Sequence, residues 1–152
     1  MNEVTIRALA EGDFPAWKPL WDSYNAFYDR VGETALPADV TQMTWSRFFD
    51  AGEPMHAMVA ERSHTLLGLV HFLFHCSTNQ IAPICYLQDL FTVEDARGQG
   101  VGRALIAAVY RHAAEVGCPR VYWQTHETNR VARRLYDKVA ERSGFIVYRK
   151  LL

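Results

Sequence analysis

The chain has 152 residues, 49% of them hydrophobic and 22% charged, with a net charge of −1. That length suits one domain, residues 1–152, which buries roughly 70% of its unfolded surface and needs neither disulfides nor metal to hold a core. The mixture excludes disorder and collagen-like repeats. The start, Met1–Arg7, has no basic or apolar signal-peptide region. The longest stretch free of Asp, Glu, Lys and Arg, Ser63–Gln88, carries His71, His75, Ser77, Thr78, Asn79 and Gln80 and is too polar to span a membrane. A cytoplasmic protein is expected, with no membrane or nucleic-acid partner. Cys76, Cys85 and Cys118 form no CxxC and no zinc spacing, so buried thiols are expected.

In chain order, Val4–Ala10 alternates as a strand. Asp13 precedes a helix opening at Phe14-Pro15, on which Trp17, Leu20, Trp21, Tyr24, Phe27, Tyr28 and Val31 share a face. Pro19 is expected to bend that helix or delay its start. A second helix spans about 38–49. Met55–Glu61 and Leu66–His75 read as a hairpin around Ser63-His64-Thr65, and Ile84–Val93 as a further strand. A helix follows over Gly100–Val116, closed by Gly117. Arg120–Thr125 is a short strand, Asn129–Ala140 a helix, and Phe145–Leu151 a last strand. Strand 84–93, helix 100–116 and strand 120–125 form a right-handed crossover with parallel strands.

Charge divides along the chain. Residues 1–96 carry five cations against thirteen acids, and residues 97–152 eleven against four. A split of this kind fits either interleaved halves of no consequence or two ligands of opposite sign. Arg97-Gly98-Gln99-Gly100-Val101-Gly102-Arg103 sits between a strand and an amphipathic helix. Three glycines let backbone N–H groups turn inward, and the helix N-terminus adds its positive end, making an anion cradle suited to a diphosphate. A dinucleotide fingerprint requires glycine where Arg103 stands, and a Walker loop is absent. A plain turn needs fewer glycines.

The spacing Arg97-x-x-Gly100-x-Gly102 resembles the pyrophosphate signature of the GNAT superfamily of N-acetyltransferases. The resemblance extends through Tyr86–Val93, Val121–Thr125, Asn129, Ala132, Leu135-Tyr136 and Ser143-Gly144-Phe145, about residues 84–148. It implies an α/β fold: a mixed, mostly antiparallel sheet with a parallel central pair, flanked by helices. It further implies acetyl-coenzyme A as co-substrate, with pantetheine along Leu90, Phe91, Thr92 and Val93. The pyrophosphate falls on Arg97, Gly98, Gln99, Gly100, Val101, Gly102 and Arg103, with Asn129 and Arg133 contributing from the following helix. Arg130, Arg133 and Arg134 crowd that helix start, where the dipole disfavours cations, as a solvated face or as a phosphate contact.

Acetyl transfer needs a neutral amine, a donor for the oxyanion and a proton for the departing thiolate. A backbone N–H freed by a bulge near Leu90 serves the oxyanion. By spacing alone Tyr136 is a core residue; the resemblance makes it the general acid. Gln88 stands where polyamine acetylators have glutamate, and glutamine takes no proton. Alternation turns Asp89 away from the Gln88 face, and His126 is the other candidate base. Tyr24 and Tyr28 pack as core or line the acceptor site. His71 and His75 stand too far apart along a strand to share a metal, and no metal is expected. The acceptor is a primary amine of a small molecule, cationic if the acidic half faces it. Protein or histone lysine, and a non-catalytic acyl-coenzyme A-binding module, are the alternatives. The resemblance also implies a homodimer.

Overall fold

The computed structural model describes residues 2–152; Met1, the first residue of the N-terminal segment read above, lies outside them. Its frame is a five-stranded sheet of β1 (Thr5–Ala8), β2 (Met55–Arg62), β3 (Thr65–Ser77), β4 (Gln80–Thr92) and β5 (Val121–Tyr122), in that spatial order. β1 through β4 are antiparallel neighbours and β5 joins β4 in parallel. Four α-helices cover the sheet: α1 (Phe14–Phe27), α2 (Ala38–Arg47), α3 (Val101–Val116) and α4 (Arg130–Val139). The expected mixed sheet with its parallel pair is therefore the observed one.

Apolar residues occupy both faces of the strands, which is why β2–β4 read as nearly continuous hydrophobic runs. On one face, Trp17, Leu20, Trp21 and Tyr24 of α1 pack on Ala57, Val59, Leu66 and Leu69, with Trp45 of α2 beside them. Trp17 and Trp21 stack with ring centroids 5.7 Å apart. On the other face, Val101, Leu105, Ile106 and Val109 of α3 meet Val70, Phe72, Cys85 and Leu87. α4 joins this layer through Leu135, Tyr136 and Val139, and the Tyr110 hydroxyl donates to the Val139 carbonyl at 2.8 Å.

Several expectations are corrected. α1 runs unbroken through Pro19; one missing ladder donor is outweighed by the buried Trp17, Leu20 and Trp21 around it. The strand expected over Arg120–Thr125 is paired only at Val121–Tyr122. Phe145–Leu151 forms no strand and lies exposed, because among the described residues no neighbouring strand reaches it. Cys76 is exposed, while Cys85 is buried and Cys118 half-buried. Among the described residues no helix is long and apolar enough to cross a membrane.

Gly68 lets β3, β4 and α3 approach closely. A Cβ there would stand 2.8 Å from the Phe91 carbonyl oxygen and 3.1 Å from side-chain carbons of Leu105 and Val101. Backbone cannot yield as a flexible side chain does, so Gly68→Ala is expected to destabilise the fold by about 1–3 kcal/mol. A urea midpoint unchanged from wild type contradicts this.

Candidate functional site

β4 is the axis of the site. Along one edge it pairs with β3 from Gln80 to Thr92, but along the other it meets β5 only at Cys85 and Tyr86. From Leu87 to Thr92, among the described residues, that second edge has no strand partner. Its N–H and C=O groups are available to an extended ligand, since backbone polar groups need partners. In the register with β3, His71 faces Asp89 while Phe72 faces Leu87, so Gln88 is the extra residue of a β-bulge. The bulge expected near Leu90 lies two residues earlier.

The bulge inverts the alternation beyond it. Leu87 and Leu90 belong to the α3 face, whereas Phe91 packs with α1. Asp89 turns to the α1 face as well, opposite to where uninterrupted alternation from Leu87 sends it. There its carboxylate accepts from Nδ1 of His71 at 2.9 Å. His71, 1% exposed, accepts the Trp17 indole N–H on Nε2 at 3.1 Å. Indole only donates, so Nε2 carries no proton and Nδ1–H points at Asp89. The Tyr24 hydroxyl lies beside Asp89; burial first, and that carboxylate second, push it well above the usual tyrosine range.

Tyr28 stands next to Tyr24 with centroids 5.0 Å apart, and the Arg30 guanidinium carbon lies 5.8 and 5.3 Å from the two rings. Tyr136 of α4 packs edge-on to Trp123 at 5.3 Å. Burial, with Tyr28 close enough to add to it, pushes the Tyr136 hydroxyl up to about 12. Tyr24, Tyr28 and Tyr136 therefore converge from α1 and α4 on the region where β4 and β5 part. Between α1 and the end of β4 lies a hollow of about 330 Å³ lined by Ser23, Phe27, Phe91, Val93, Glu94 and Arg97.

The glycine segment closes the other end. Gly98 and Gly100 have φ of +75° and +83°, a region L side chains rarely adopt, and nothing lies within 4 Å of where their Cβ atoms would be. Gly100 caps α3 without a side-chain hydrogen bond, and the first turn of α3 holds no acid. The leading N–H groups of α3 are thus left for an outside anion. Gln99 is drawn aside, donating to the Asp95 carbonyl and accepting from Arg62. Arg97 donates to the Thr92 carbonyl at 3.2 Å, tying loop to strand.

Other expected site residues are engaged locally. Asn129 caps α4, its side chain accepting from the Ala132 N–H at 3.4 Å. Arg133 donates to the Glu127 carbonyl at 2.7 Å. His126 is exposed in the turn before α4, its Nδ1 taken up by Thr128. Gln88 is exposed on the bulge. His75 meets the Tyr122 hydroxyl at 2.8 Å, away from the buried His71, and no group of three or more metal-ligating side chains occurs among the described residues. Sequence reasoning passed over Asp89 and His71 as partners. Eighteen residues separate them, and only the bulged register brings them face to face.

A profile of the Acetyltransferase (GNAT) family matches residues 17–140. The chain belongs to this family. It is 34% identical over 151 residues to the D-amino-acid N-acetyltransferase HPA3 of Saccharomyces cerevisiae, covering 98% of this chain and 91% of that protein. It is 28% identical over 150 residues to an uncharacterized N-acetyltransferase, YhfO, of Bacillus subtilis, covering 95% of each. The aminoglycoside N-acetyltransferase AAC(6')-Iy in complex with CoA superposes with a TM-score of 0.82 at 21% identity, over 99% of this chain and 96% of that one. As a GNAT protein the chain is an acetyl-CoA-dependent N-acetyltransferase. The open glycine cradle and the free edge of β4 fit that co-substrate.

Arg103 is exposed in the first turn of α3, where a carboxylate favours the helix dipole but repels a bound diphosphate. Arg103→Glu is expected to leave the melting temperature unchanged or higher while weakening coenzyme A binding about tenfold or more, the scale of one lost charge-assisted hydrogen bond. Calorimetric titration checks this; equal affinity in the two proteins contradicts it.

Proposed function

We propose that this N-acetyltransferase, acting as a single domain over residues 1–152 in the cytoplasm, acetylates the primary amine of a small molecule by direct attack. The observation that carries the reading is the parting of β4 and β5 after Tyr86 beside the inverted Asp89, between the glycine cradle and the tyrosine cluster. Gly98–Arg103 hold the diphosphate through backbone N–H groups and the α3 terminus, with Arg97 bracing the loop. Leu90–Val93 bind the pantetheine arm along the unpaired edge. Arg133 and Asn129, engaged with the turn before α4, shape the far side of the cleft.

Asp89 takes the place left vacant by the absence of an acid at Gln88. Its carboxylate, positioned by His71 and Tyr24, attracts an ammonium and orients the amine that forms when the proton leaves. The amine nitrogen attacks the thioester carbon while a backbone N–H at the bulge steadies the developing oxyanion. As the C–S bond breaks, Tyr136 gives its proton to sulfur and is reprotonated from solvent. The amine's surplus proton leaves by water. Tyr28 and Arg30 line the approach. The activities of relatives, on D-amino acids and aminoglycosides, support a small-molecule acceptor. Thiol release across D-amino acids, aminoglycosides, polyamines and lysine peptides tests the class; activity confined to peptides overturns it.

Removing only the hydroxyl of Tyr136 preserves its packing on Trp123. Tyr136→Phe is expected to lower kcat at least roughly tenfold, within the range of a general acid, with coenzyme A affinity and melting temperature near wild type. Because its pKa is raised to about 12, the acid stays protonated, and no alkaline fall in rate from Tyr136 is expected below about pH 10. Equal kcat in both proteins returns Tyr136 to the core.

Asp89→Asn keeps the shape of the side chain and its hydrogen bond from His71 but removes the charge. KM for a cationic amine is expected to rise about tenfold, and added salt to raise the wild-type KM but barely that of the variant, since screening acts on the lost attraction. A best acceptor without net positive charge, whose KM ignores both changes, rules out this role for Asp89.

A further inference from the structure

The turn after α1 is built around one arginine. Asp29 sits at φ +61°, a left-handed conformation unfavourable for a residue with a side chain. There the Asn25 carbonyl accepts the backbone N–H groups of Tyr28 and Arg30 at 3.1 and 2.9 Å. The Asn25 side chain also holds the Arg30 side chain, its Oδ1 accepting from Nε at 2.7 Å. Asn25 is 4% exposed and donates to the Trp21 carbonyl at 2.9 Å, so its amide cannot turn away. The rings of Tyr24 and Tyr28, already seen against the guanidinium, add cation–π attraction. A buried asparagine is costly unless its hydrogen bonds are made, and here they serve to aim one side chain.

No acid of the chain answers this cation. Among the described residues neither terminal nitrogen of Arg30 has a hydrogen-bond partner, and Arg30 enters no ion pair. Asp22 borders the same hollow of about 400 Å³ between α1 and α2, but Lys18 takes it up at 2.7 Å. The other acid nearby is Asp89, across Tyr24: the tyrosine hydroxyl is pushed up by that carboxylate and drawn down by Arg30. One ring therefore has a fixed anion and a fixed cation against it. His71 satisfies the anion; only a neutral amide holds the cation.

We infer that Arg30 grips a carboxylate of the acceptor, so that the amine acetylated is that of an amino acid. The inference rests on Asp89 receiving the ammonium, as proposed above, and names the other end of the same molecule. A guanidinium fork takes a carboxylate with two parallel N–H···O bonds, a match that a hydroxyl or an amide does not offer. Opposite charges flanking one ring describe a short zwitterion. Polyamines and aminoglycosides fit less well, because each sets a further ammonium against the guanidinium. Both charges are positioned before any ligand arrives, so little is lost in ordering them.

Matched sets of an amino acid, its carboxamide and the amine lacking the carboxyl group, built on alanine, leucine and phenylalanine, test this by thiol release. Wild-type kcat/KM is expected to favour the acid over its amide at least about tenfold, the scale of a hydrogen bond to a charged group. The amide's amine is the less basic and is neutral more often at pH 7, so ionisation opposes this preference and cannot produce it. Arg30→Gln is expected to raise KM for the acid about tenfold and to bring acid and amide within about threefold of each other, with coenzyme A affinity unchanged. A purely structural arginine lowers both substrates together and keeps their ratio; that result overturns the inference. So does a wild-type enzyme that takes acid, amide and amine equally, or that prefers polyamines, aminoglycosides or an aminoalkyl phosphate. If Arg30→Gln fails to fold, the wild-type ratios still decide. Those outcomes leave a small-molecule acetyltransferase standing, whereas activity confined to lysine peptides overturns the acceptor reading and the inference together.

Discussion

Strand β4 cannot be paired along its whole length on both sides, and the rest of the structure is organised around that constraint. β3 occupies one edge from Gln80 to Thr92, while β5 leaves after Cys85 and Tyr86. A strand edge whose partner ends early leaves donors and acceptors without a ladder, which an extended ligand can supply. The bulge at Gln88 sharpens the effect by bending β4 at that point. Both sides of the cleft follow: the glycine turn and α3 continue from the end of β4, and α4 continues from the end of β5.

The two faces of the sheet divide the work. The α3 face packs Val70, Phe72, Cys85 and Leu87 under Leu105 and Val109, with His56 and His112 against Phe72 and Phe74 beside them, and it serves as the rigid base for the α3 N-terminus. The α1 face places a polar chain inside an aromatic shell. Trp17, His71 and Asp89 are linked in sequence by hydrogen bonds with the Tyr24 hydroxyl beside the carboxylate, and the Trp21 and Phe48 rings lie 5.2 and 4.6 Å from the imidazole. A half-satisfied buried network is worse than an apolar core, so each member fixes the next. The network therefore holds one carboxylate at a set angle beside the bulge.

Electrostatics along the chain matches this division. The glycine loop opens the basic portion, and its anchoring side chain, Arg97, reaches back to the Thr92 carbonyl. The acidic portion supplies Asp89, Glu94 and the α1 face. The basic loop and the acidic side chains thus face one cleft from opposite ends.

By itself the sequence determined the elements and the anion cradle, because both are local. Helical spacing of Val101, Leu105, Ala108 and Val109, left-handed glycines at 98, 100 and 117, and the apolar runs of β2 and β3 depend on neighbours within a few residues. The resemblance to the GNAT family rested on the same local spacing. Tertiary structure decided what depends on register. The bulge at Gln88 turned Asp89 toward α1, and pairing with β3 set it against His71. The convergence of Tyr24, Tyr28 and Tyr136 joins residues more than a hundred positions apart. Tertiary structure also decided that Phe145–Leu151, with every local mark of a strand, finds no partner within its own chain. A strand becomes one only when another backbone completes its hydrogen bonds, and no local pattern states where that backbone is.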